Sequence, residues 1–388
     1  MKKQLYLNNA QLEAELSRCL NCKNPPCMTA CPVHCNPAEF IRITKEGKHQ
    51  QAADSIFRTN PMGQSCGLVC PEKFCMNACT RSKIDFPINI PKVQATILNN
   101  TTPLPILATP NNHKVAIIGA GPAGIASAAK LAENGIYAEI FEATDYVGGA
   151  LNLIPDYRLP PEVINRDWQN VSKNPLITLR LSYCVDDPSF LLQTGFEAVI
   201  IATGEPKITD LGIPGEELAV TYVDHLKYPD KFRTCGNVAV IGGGAVAADC
   251  AITAKLNGAG NVEMFVRRKI SDMKVTTQER DFLIENAIDI TTMTRVKKIY
   301  LNPQNNSLNL ITAKNHFVDG KLTELENTEI CRSGFDLVVK AIGSFADKYD
   351  DSERIIYAGD CKIGSSTLVE ALASGQQAAQ KIIKNLIG

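Results

Sequence analysis

Cysteines are concentrated near the start of this 388-residue chain. Nine of the fourteen fall between Cys19 and Cys79, and most of them form two short clusters. The first cluster comprises Cys19, Cys22, Cys27 and Cys31, and the second comprises Cys66, Cys70, Cys75 and Cys79. Thiolates two to four residues apart can converge on one metal centre. The spacing therefore predicts an N-terminal domain that folds around metal.

Three kinds of chemistry compete for these cysteines. Zinc sites usually show two Cys-x2-Cys pairs separated by a longer spacer, whereas here four cysteines crowd into thirteen residues. Disulfides require export, and residues 1–18 have neither the apolar core nor the cleavage site of a secretory signal. A Cys-Pro that ends such a run is typical of ferredoxin-like segments. An iron–sulfur centre is therefore favoured over a zinc site. A cytoplasmic location is expected.

The composition argues against two classes of partner. A formal net charge of −1 provides no basic field for nucleic acid. No apolar run reaches the eighteen or more residues of a membrane span. The five histidines are scattered, and no nucleophile–base pair is recognisable. No catalytic side chain is therefore assigned, and the chemistry is expected to lie in cofactors.

Hydrophobic periodicity divides the chain into a helical N-terminal part and two α/β domains. A strand, a glycine turn, a helix and a second strand begin at residue 114, and the pattern recurs at 237. Two such units predict two Rossmann-type domains, the second inserted in the first. The predicted parts are an iron–sulfur domain (1–98), a linker (99–112), an FAD-binding domain (113–205 and 341–388) and an NAD(P)H-binding domain (206–340).

The first glycine turn has the pattern GxGxxG, formed by Gly119, Gly121 and Gly124. Such a turn lets the backbone approach a pyrophosphate and offers the free N–H groups of a helix N-terminus. Glu142 ends the next strand, where a carboxylate accepts hydrogen bonds from both ribose hydroxyls and repels a 2′-phosphate. This turn therefore suits FAD or NAD rather than NADP.

The second turn has the pattern GxGxxA, formed by Gly242, Gly244 and Ala247. The strand that follows it ends in Arg267 and Arg268, and further basic residues such as Lys274 lie nearby. Guanidinium groups pair with phosphate in a bidentate way, so this site favours NADPH over NADH. The alternative interpretation is a solvated basic loop without a nucleotide.

The segment YAGDCKIGSSTLVEALASG near the C-terminus resembles the flavin segment of the two-dinucleotide-domain flavoprotein disulfide reductases. The resemblance implies that Asp360 binds the FAD ribityl chain and that the helix starting near Thr367 points at the flavin. Those reductases carry a Cys-x4-Cys redox pair, which this chain lacks. The segment 148–160, with Gly149 and Arg158 as expected FAD contacts, occupies its place. Electrons must then leave by another route, which the N-terminal cysteines provide.

Residues 15–385 are similar to the small subunit of glutamate synthase and to the N-terminal part of dihydropyrimidine dehydrogenase. The shared motifs include RCLNC, PPCMTACP, NPMGQSCGLVCP and CMNACTR, and an INIxxxQ run ending at Gln94 favours the dehydrogenase. The resemblance implies two 4Fe–4S clusters, one held by Cys19, Cys22, Cys27 and Cys79, the other by Cys31, Cys70, Cys75 and Gln94. Cys66 instead of Gln94 is the alternative eighth ligand.

The resemblance also implies an electron-input oxidoreductase. Hydride would pass from NAD(P)H to FAD, and single electrons would pass through both clusters to an FMN-containing partner subunit that reduces uracil or thymine. The alternatives are a glutamate synthase (NADPH) small subunit, a free-standing NADPH:ferredoxin-type reductase, and a non-catalytic redox sensor or assembly module with structural metal.

Overall fold

The computed structural model describes residues 4–204, 207–347 and 349–388. The chain forms two compact units, and the second interrupts the first in sequence, as expected for an inserted domain. The first unit comprises 1–152, 156–206 and 345–388, and the second comprises 153–155 and 207–344. The predicted boundary between residues 205 and 206 lies outside the described residues, and the remaining predicted boundaries stay predictions.

The N-terminal part is helical. Its helices are α1 (Asn9–Arg18), α2 (Pro26–Thr29), α3 (Pro37–Lys45), α4 (His49–Thr59), α5 (Gly63–Val69) and α6 (Ile90–Asn100), with a 3-10 turn at Thr80–Lys83. The side chain of Asn8 caps the start of α1 by accepting a hydrogen bond from the backbone N–H of Gln11. The side chain of Gln11 in turn accepts a hydrogen bond from the backbone N–H of Asn8. The apolar periodicity of 37–58 belongs to two helices, because Gly47 has a φ of +75° and ends α3.

The first unit continues into a five-stranded parallel sheet of order β16-β4-β1-β2-β3. Its elements are β1 (Lys114–Ile118), α7 (Pro122–Ala132), β2 (Tyr137–Phe141), α8 (Pro161–Ser172), β3 (Ile177–Arg180), α9 (Pro188–Leu191), β4 (Ala198–Ile201), β16 (Ile355–Tyr357), α13 (Asp360–Ile363) and α14 (Leu368–Ile387). β1 and β4 are nearly continuous apolar runs, as expected for strands covered on both faces.

The second unit contains its own parallel sheet, of order β6-β14-β7-β8-β9, and an antiparallel sheet in which β11 pairs with β10, β12 and β13. Its elements are β5 (Lys207–Ile208), β6 (Val220–Thr221), α10 (Tyr222–Lys227), β7 (Asn237–Ile241), α11 (Ala245–Leu256), β8 (Asn261–Phe265), α12 (Thr277–Glu285), β9 (Asp289–Thr291), β10 (Thr294–Leu301), β11 (Leu308–Val318), β12 (Lys321–Glu324), β13 (Ile330–Phe335) and β14 (Leu337–Lys340). The short strand β15 (Ser344–Phe345) lies at the point in the sequence where the second unit ends. Phe265, Val296 and Leu310 belong to the core that joins these two sheets.

The two parallel sheets share one arrangement around their glycine turns. The strand that precedes each turn, β1 or β7, has the next strand in sequence on one side and a later strand on the other. Strand order therefore reverses at β1 and β7, and ligands of open α/β sheets bind at the carboxyl ends of such strands. No helix among the described residues combines the length and apolar character that a bilayer crossing requires.

Candidate functional site

Four of the N-terminal cysteines line one recess. They are Cys19, Cys22, Cys27 and Cys79, the set predicted to hold one cluster. Apolar side chains, including Ile41 and Ile88, form much of the remaining wall. Burial raises the pKa of the Cys27 thiol to about 11, and the nearby Cys79 thiol adds to the rise. Helix packing thus brings Cys79 to three cysteines more than fifty residues earlier in the chain.

A second group of thiols, buried or partly buried, lies next to the first. Burial raises the pKa of Cys75 to about 12, and the charges of Cys31 and Cys27 add to the rise. Burial also raises the pKa of Cys70, and the charges of Cys75 and Cys31 add to the rise. The pKa of Cys66 is raised by burial and by Cys70 in the same way. The predicted ligands Cys31, Cys70 and Cys75 are therefore brought together, and Cys66 lies beside them.

Gln94 reaches the second group from α6. Its side chain is 6% exposed, and its Nε2 donates a hydrogen bond of 2.7 Å to the carbonyl oxygen of Gly63. Its Oε1 is 3.8 Å from Sγ of Cys35, a cysteine that sequence reasoning left without a role. The amide oxygen is thus held next to a buried thiol.

The donor set suits an iron–sulfur cluster. Buried and crowded thiols resist ionisation, whereas a bound metal cation deprotonates a coordinating thiol outright. Bound iron would therefore stabilise the thiolate form of these cysteines. Within the described ranges, no three His, Cys, Asp or Glu side chains meet closely enough to hold a single metal ion.

The first glycine turn leaves room for a phosphate. Gly121 caps α7, and a Cβ built on it would have only the Cα of Gly149 within 4 Å, at 4.0 Å. Gly124, by contrast, has no space for a side chain, because its Cβ would stand 1.9 Å from the carbonyl oxygen of Gly119. The predicted roles of close backbone approach and tight helix–strand packing therefore fit Gly121 and Gly124.

Glu142 lies beside this turn at the end of β2. Its side chain is largely buried, its Oε2 accepts a hydrogen bond of 2.7 Å from the backbone of Ala120, and its Oε1 accepts one of 2.9 Å from the backbone of Thr144. Each carboxylate oxygen can accept more than one hydrogen bond. Glu142 is thus fixed against the turn and retains acceptor capacity for a ribose hydroxyl.

Two helices, α13 and α14, begin within the C-terminal segment that resembles a flavin-binding segment. Asp360 begins α13 and accepts a hydrogen bond from the hydroxyl of Ser366. Thr367 caps α14 in a reciprocal capping box with Glu370. The positive end of the twenty-residue helix α14 is therefore available to a polar flavin edge. Arg158, the other predicted FAD contact, is 9% exposed and lies just before α8.

The second glycine turn has the same construction in the second unit. Gly244 caps α11, and nothing lies within 4 Å of a Cβ built on it. Gly242 has a φ of +152°, and its Cβ would meet the carbonyl oxygen of Ala341 at 2.2 Å. Ala247 is fully buried beneath the turn. The turn is therefore open at Gly244, where a pyrophosphate is expected, and closed at the other two positions.

Basic side chains surround this second turn. Arg267 and Arg268 are exposed directly after β8, and neither guanidinium forms an ion pair within the described part of the chain. The backbone N–H of Lys274 donates a hydrogen bond of 3.1 Å to the carbonyl oxygen of Gly243. Lys274 is thereby held next to the second glycine turn, although it follows β8 by several residues in sequence. All three cations are accessible to an anionic ligand.

Four contacts that sequence reasoning missed join the cysteine-rich helices to α8 and α14 of the first unit. The carboxylate of Asp167 on α8 accepts hydrogen bonds from the backbone N–H groups of Gln64, at 3.3 Å, and Ser65, at 2.8 Å. On α14, Gln376 donates to the carbonyl oxygen of Thr59, and Glu370 pairs with Lys73 at 3.3 Å. Asp167 carried no sequence signal, because an acid on an amphipathic helix normally faces solvent.

Comparisons with known proteins agree with this architecture. Residues 1–103 match the family model described as dihydropyrimidine dehydrogenase domain II, 4Fe-4S cluster. Residues 113–348 match the pyridine nucleotide-disulphide oxidoreductase model. A Salmonella typhi protein named NAD-dependent dihydropyrimidine dehydrogenase subunit PreT homolog is 31% identical over 95% of this chain and 92% of its own length. The chain belongs to this family of PreT dehydrogenase subunits.

Membership in the PreT family makes the chain an iron–sulfur NAD(P)H oxidoreductase and confirms the predicted fold and enzyme class. The zinc and disulfide alternatives for the N-terminal cysteines are thereby set aside. The predicted likeness to glutamate synthase is also confirmed, since the NADPH small chain of Halomonas elongata is 31% identical over 71% of this chain and 63% of its own length. Mycobacterium tuberculosis FprA in complex with NADPH shares the fold, with a TM-score of 0.59 and 17% identity over 71% of this chain and 84% of FprA.

Proposed function

We propose that this chain is the electron-input subunit of a dihydropyrimidine dehydrogenase. It would oxidise NAD(P)H and deliver electrons to an FMN-containing partner subunit that reduces uracil or thymine. The observation that carries the proposal is the order of the candidate sites in the first unit. One cysteine group adjoins the flavin helix α14, and the other lines a recess beside exposed apolar side chains.

Glu370, in the first turn of α14, lies at the end of this series of sites that is nearer the proposed flavin. Its negative charge is among the influences that raise the pKa of Cys70, after burial and the neighbouring thiols. The Lys73–Glu370 pair and the bond from Gln376 to Thr59 connect the same two regions. The group of Cys31, Cys70, Cys75 and Gln94 is therefore the natural first recipient of electrons from a flavin at α14.

At the other end of the series, a loop beside the first recess exposes apolar side chains. Ile84 is 64% exposed and Phe86 is 79% exposed. The loop is held by Arg18, which donates to the carbonyl oxygen of Phe86 and pairs with Asp85, and Arg81 pairs with Asp85 at 2.7 Å. Large apolar side chains on an anchored loop are typical of a binding surface. We assign this surface, with Leu20, to the electron-accepting partner subunit.

When bound, FAD exchanges two electrons with NAD(P)H, and the 4Fe–4S clusters carry electrons singly. The residues of the chain supply binding and orientation. The open glycine turns at Gly121 and Gly244 would admit pyrophosphates to helix N-termini, and Asp360 and Thr367 would contact the polar part of a bound flavin cofactor. No side chain is required to act as a general base.

We further propose that NADPH is preferred over NADH. The dehydrogenase relative is named for NAD and the glutamate synthase relative for NADPH, so the choice rests on residues of this chain. Arg267 and Arg268 stand at the strand end where NAD sites carry an acid, and both are exposed and without an ion pair in the described ranges. Their charges favour a 2′-phosphate.

Anaerobic affinity purification from the native cell tests the proposal. We expect an FMN-containing subunit to co-purify and the pair to reduce uracil with NAD(P)H, while the isolated, loaded chain reduces only artificial acceptors. Recovery of a large amidotransferase subunit would move the chain to glutamate synthase, the function favoured by the Halomonas relative. Failure of the fully FAD-loaded chain to oxidise NAD(P)H would contradict both functions.

A further inference from the structure

Cys35 belongs to neither proposed set of cluster ligands, although it is buried beside one of them. It lies in the turn between α2 and α3, four residues after Cys31, and only 3% of its surface is exposed. Its Sγ is 3.8 Å from Oε1 of Gln94. The proximity of this thiol to a proposed ligand atom suggests a role other than space filling.

Only one orientation of the Gln94 side-chain amide is compatible with the hydrogen-bonding groups around it. Its Nε2 donates a hydrogen bond of 2.7 Å to the carbonyl oxygen of Gly63, which can only accept. The amide nitrogen must therefore face Gly63, and Oε1 faces Cys35. Because an amide oxygen carries no hydrogen, the Cys35 thiol is the donor in the contact of 3.8 Å.

Close packing at the start of α5 keeps this geometry in place. A Cβ on Gly63 would stand 2.7 Å from Cδ1 of Leu98 and 2.9 Å from Cγ2 of Ile56, so the backbone here directly contacts α4 and α6. The carbonyl of Gly63 consequently has little freedom to move away from Gln94. Turning the buried amide would cost its hydrogen bond to Gly63 and leave polar atoms unpaired.

We propose that Cys35 is a positioning residue that donates a hydrogen bond to Oε1 of Gln94 while that oxygen ligates iron. The inference rests on the proposed function, in particular on Gln94 as the eighth ligand. A hydrogen bond to a ligand atom withdraws electron density from the metal and favours its more reduced state. Cys35 therefore raises the midpoint potential of the second cluster.

Midpoint potentials of two Cys35 variants test this role. Full-length chains are reconstituted anaerobically with iron and sulfide, titrated with dithionite and followed by electron paramagnetic resonance. We expect Cys35→Ala to bind as much iron as the wild type, with a second-cluster potential shifted to more negative values. Cys35→Ser retains a donor and should return the potential toward the wild-type value. Cys184→Ala removes an exposed thiol outside the N-terminal helices and should leave the midpoint potential of the second cluster unchanged.

Two results would overturn the inference while leaving the proposed function in place. An unshifted potential in Cys35→Ala would mean that the thiol only fills space. Loss of iron from both Cys35 variants would mean that Cys35 is itself a ligand. A wild-type chain that holds a single cluster would overturn the two-cluster proposal together with this inference. Because dithionite replaces NAD(P)H and the partner, the readout does not depend on turnover.

Discussion

At the scale of single residues, the nucleotide preference depends on two guanidinium groups. Replacing Arg267 and Arg268 with alanine removes the charges that would pair with a 2′-phosphate, and a hydrogen bond to a charged group contributes roughly 1.5–3 kcal/mol. We expect the Kd for NADPH to rise about tenfold or more and the Kd for NADH to change little. Titration calorimetry with both nucleotides measures the two values.

Lys269 provides the matched control for the arginine pair. It follows them in sequence, but its Nζ lies 5.2 Å from the ring centroid of Phe317 and is thus already engaged. Lys269→Ala should leave the NADPH preference intact. Equal losses of NADPH and NADH affinity in the double arginine variant would contradict the assignment.

A buried histidine gives the second unit a pH dependence. His225 is 1% exposed, and burial lowers its pKa while a hydrogen bond between its Nε2 and the carbonyl oxygen of Cys250 partly opposes that effect. The unfolded chain takes up a proton near pH 6.5, whereas the folded chain resists it. The stability of this unit should therefore be complete above about pH 6.5 and fall as the pH drops further.

His225→Phe should reduce this pH dependence. Thermal denaturation of the full chain between pH 7.5 and 5 gives the midpoint temperatures, and the variant should lose less stability toward low pH than the wild type. His49→Gln changes an exposed histidine and should retain the wild-type slope. An unchanged slope in His225→Phe would assign the effect to other groups.

At the scale of secondary-structure elements, Asp167 connects α8 to the start of α5. Its two oxygens accept from the backbone N–H groups of Gln64 and Ser65, whereas asparagine offers one acceptor and would turn a donor toward the other N–H. Asp167→Asn should lower the free energy of unfolding by about 2 kcal/mol. Denaturant titration of the reconstituted chain measures the change.

Asp187 is the control for this substitution. It caps the short helix α9 at an exposed position, where its side chain accepts from the backbone of Ser189. Asparagine caps helices about as well as aspartate, so Asp187→Asn should cost less than about 0.5 kcal/mol. Similar losses in both variants would show that Asp167 has no special role in joining α8 to α5.

At the scale of the whole molecule, the proposed exit surface can be separated from electron input. Phe86→Asp places a charge at the centre of the exposed apolar loop, and loss of an aromatic anchor typically costs about 2 kcal/mol or more in binding. We expect the partner subunit to bind at least about tenfold more weakly and NAD(P)H oxidation with artificial acceptors to be unchanged.

Phe190 offers the comparison for this surface. It is 55% exposed on α9, in the same unit but outside the cysteine-rich helices. Phe190→Asp should leave partner affinity and artificial-acceptor activity at wild-type values. Undiminished partner binding by Phe86→Asp would place the interface elsewhere.

The two Rossmann units could be predicted because their signals are local. A strand, a glycine turn, a helix and the next strand follow one another within about thirty residues, so Gly124 and Glu142 acquire their roles from neighbours in sequence. The resemblance to known families supplied the ligand sets, which no local pattern specifies. Within the N-terminal part, the periodicity predicted helices, but only the positive φ of Gly47 separates α3 from α4.

The fold class, the two dinucleotide turns and the metal-binding character of the cysteines could be inferred from the amino-acid sequence, because each depends on residues that are close along the chain. Which distant groups come into contact is visible only in the folded chain. Cys35 lies beside Gln94 and Asp167 beside Ser65 because helices pack, and these pairs are 59 and 102 residues apart. Packing free energy depends on surfaces that assemble from the whole chain, so no spacing rule predicts such contacts.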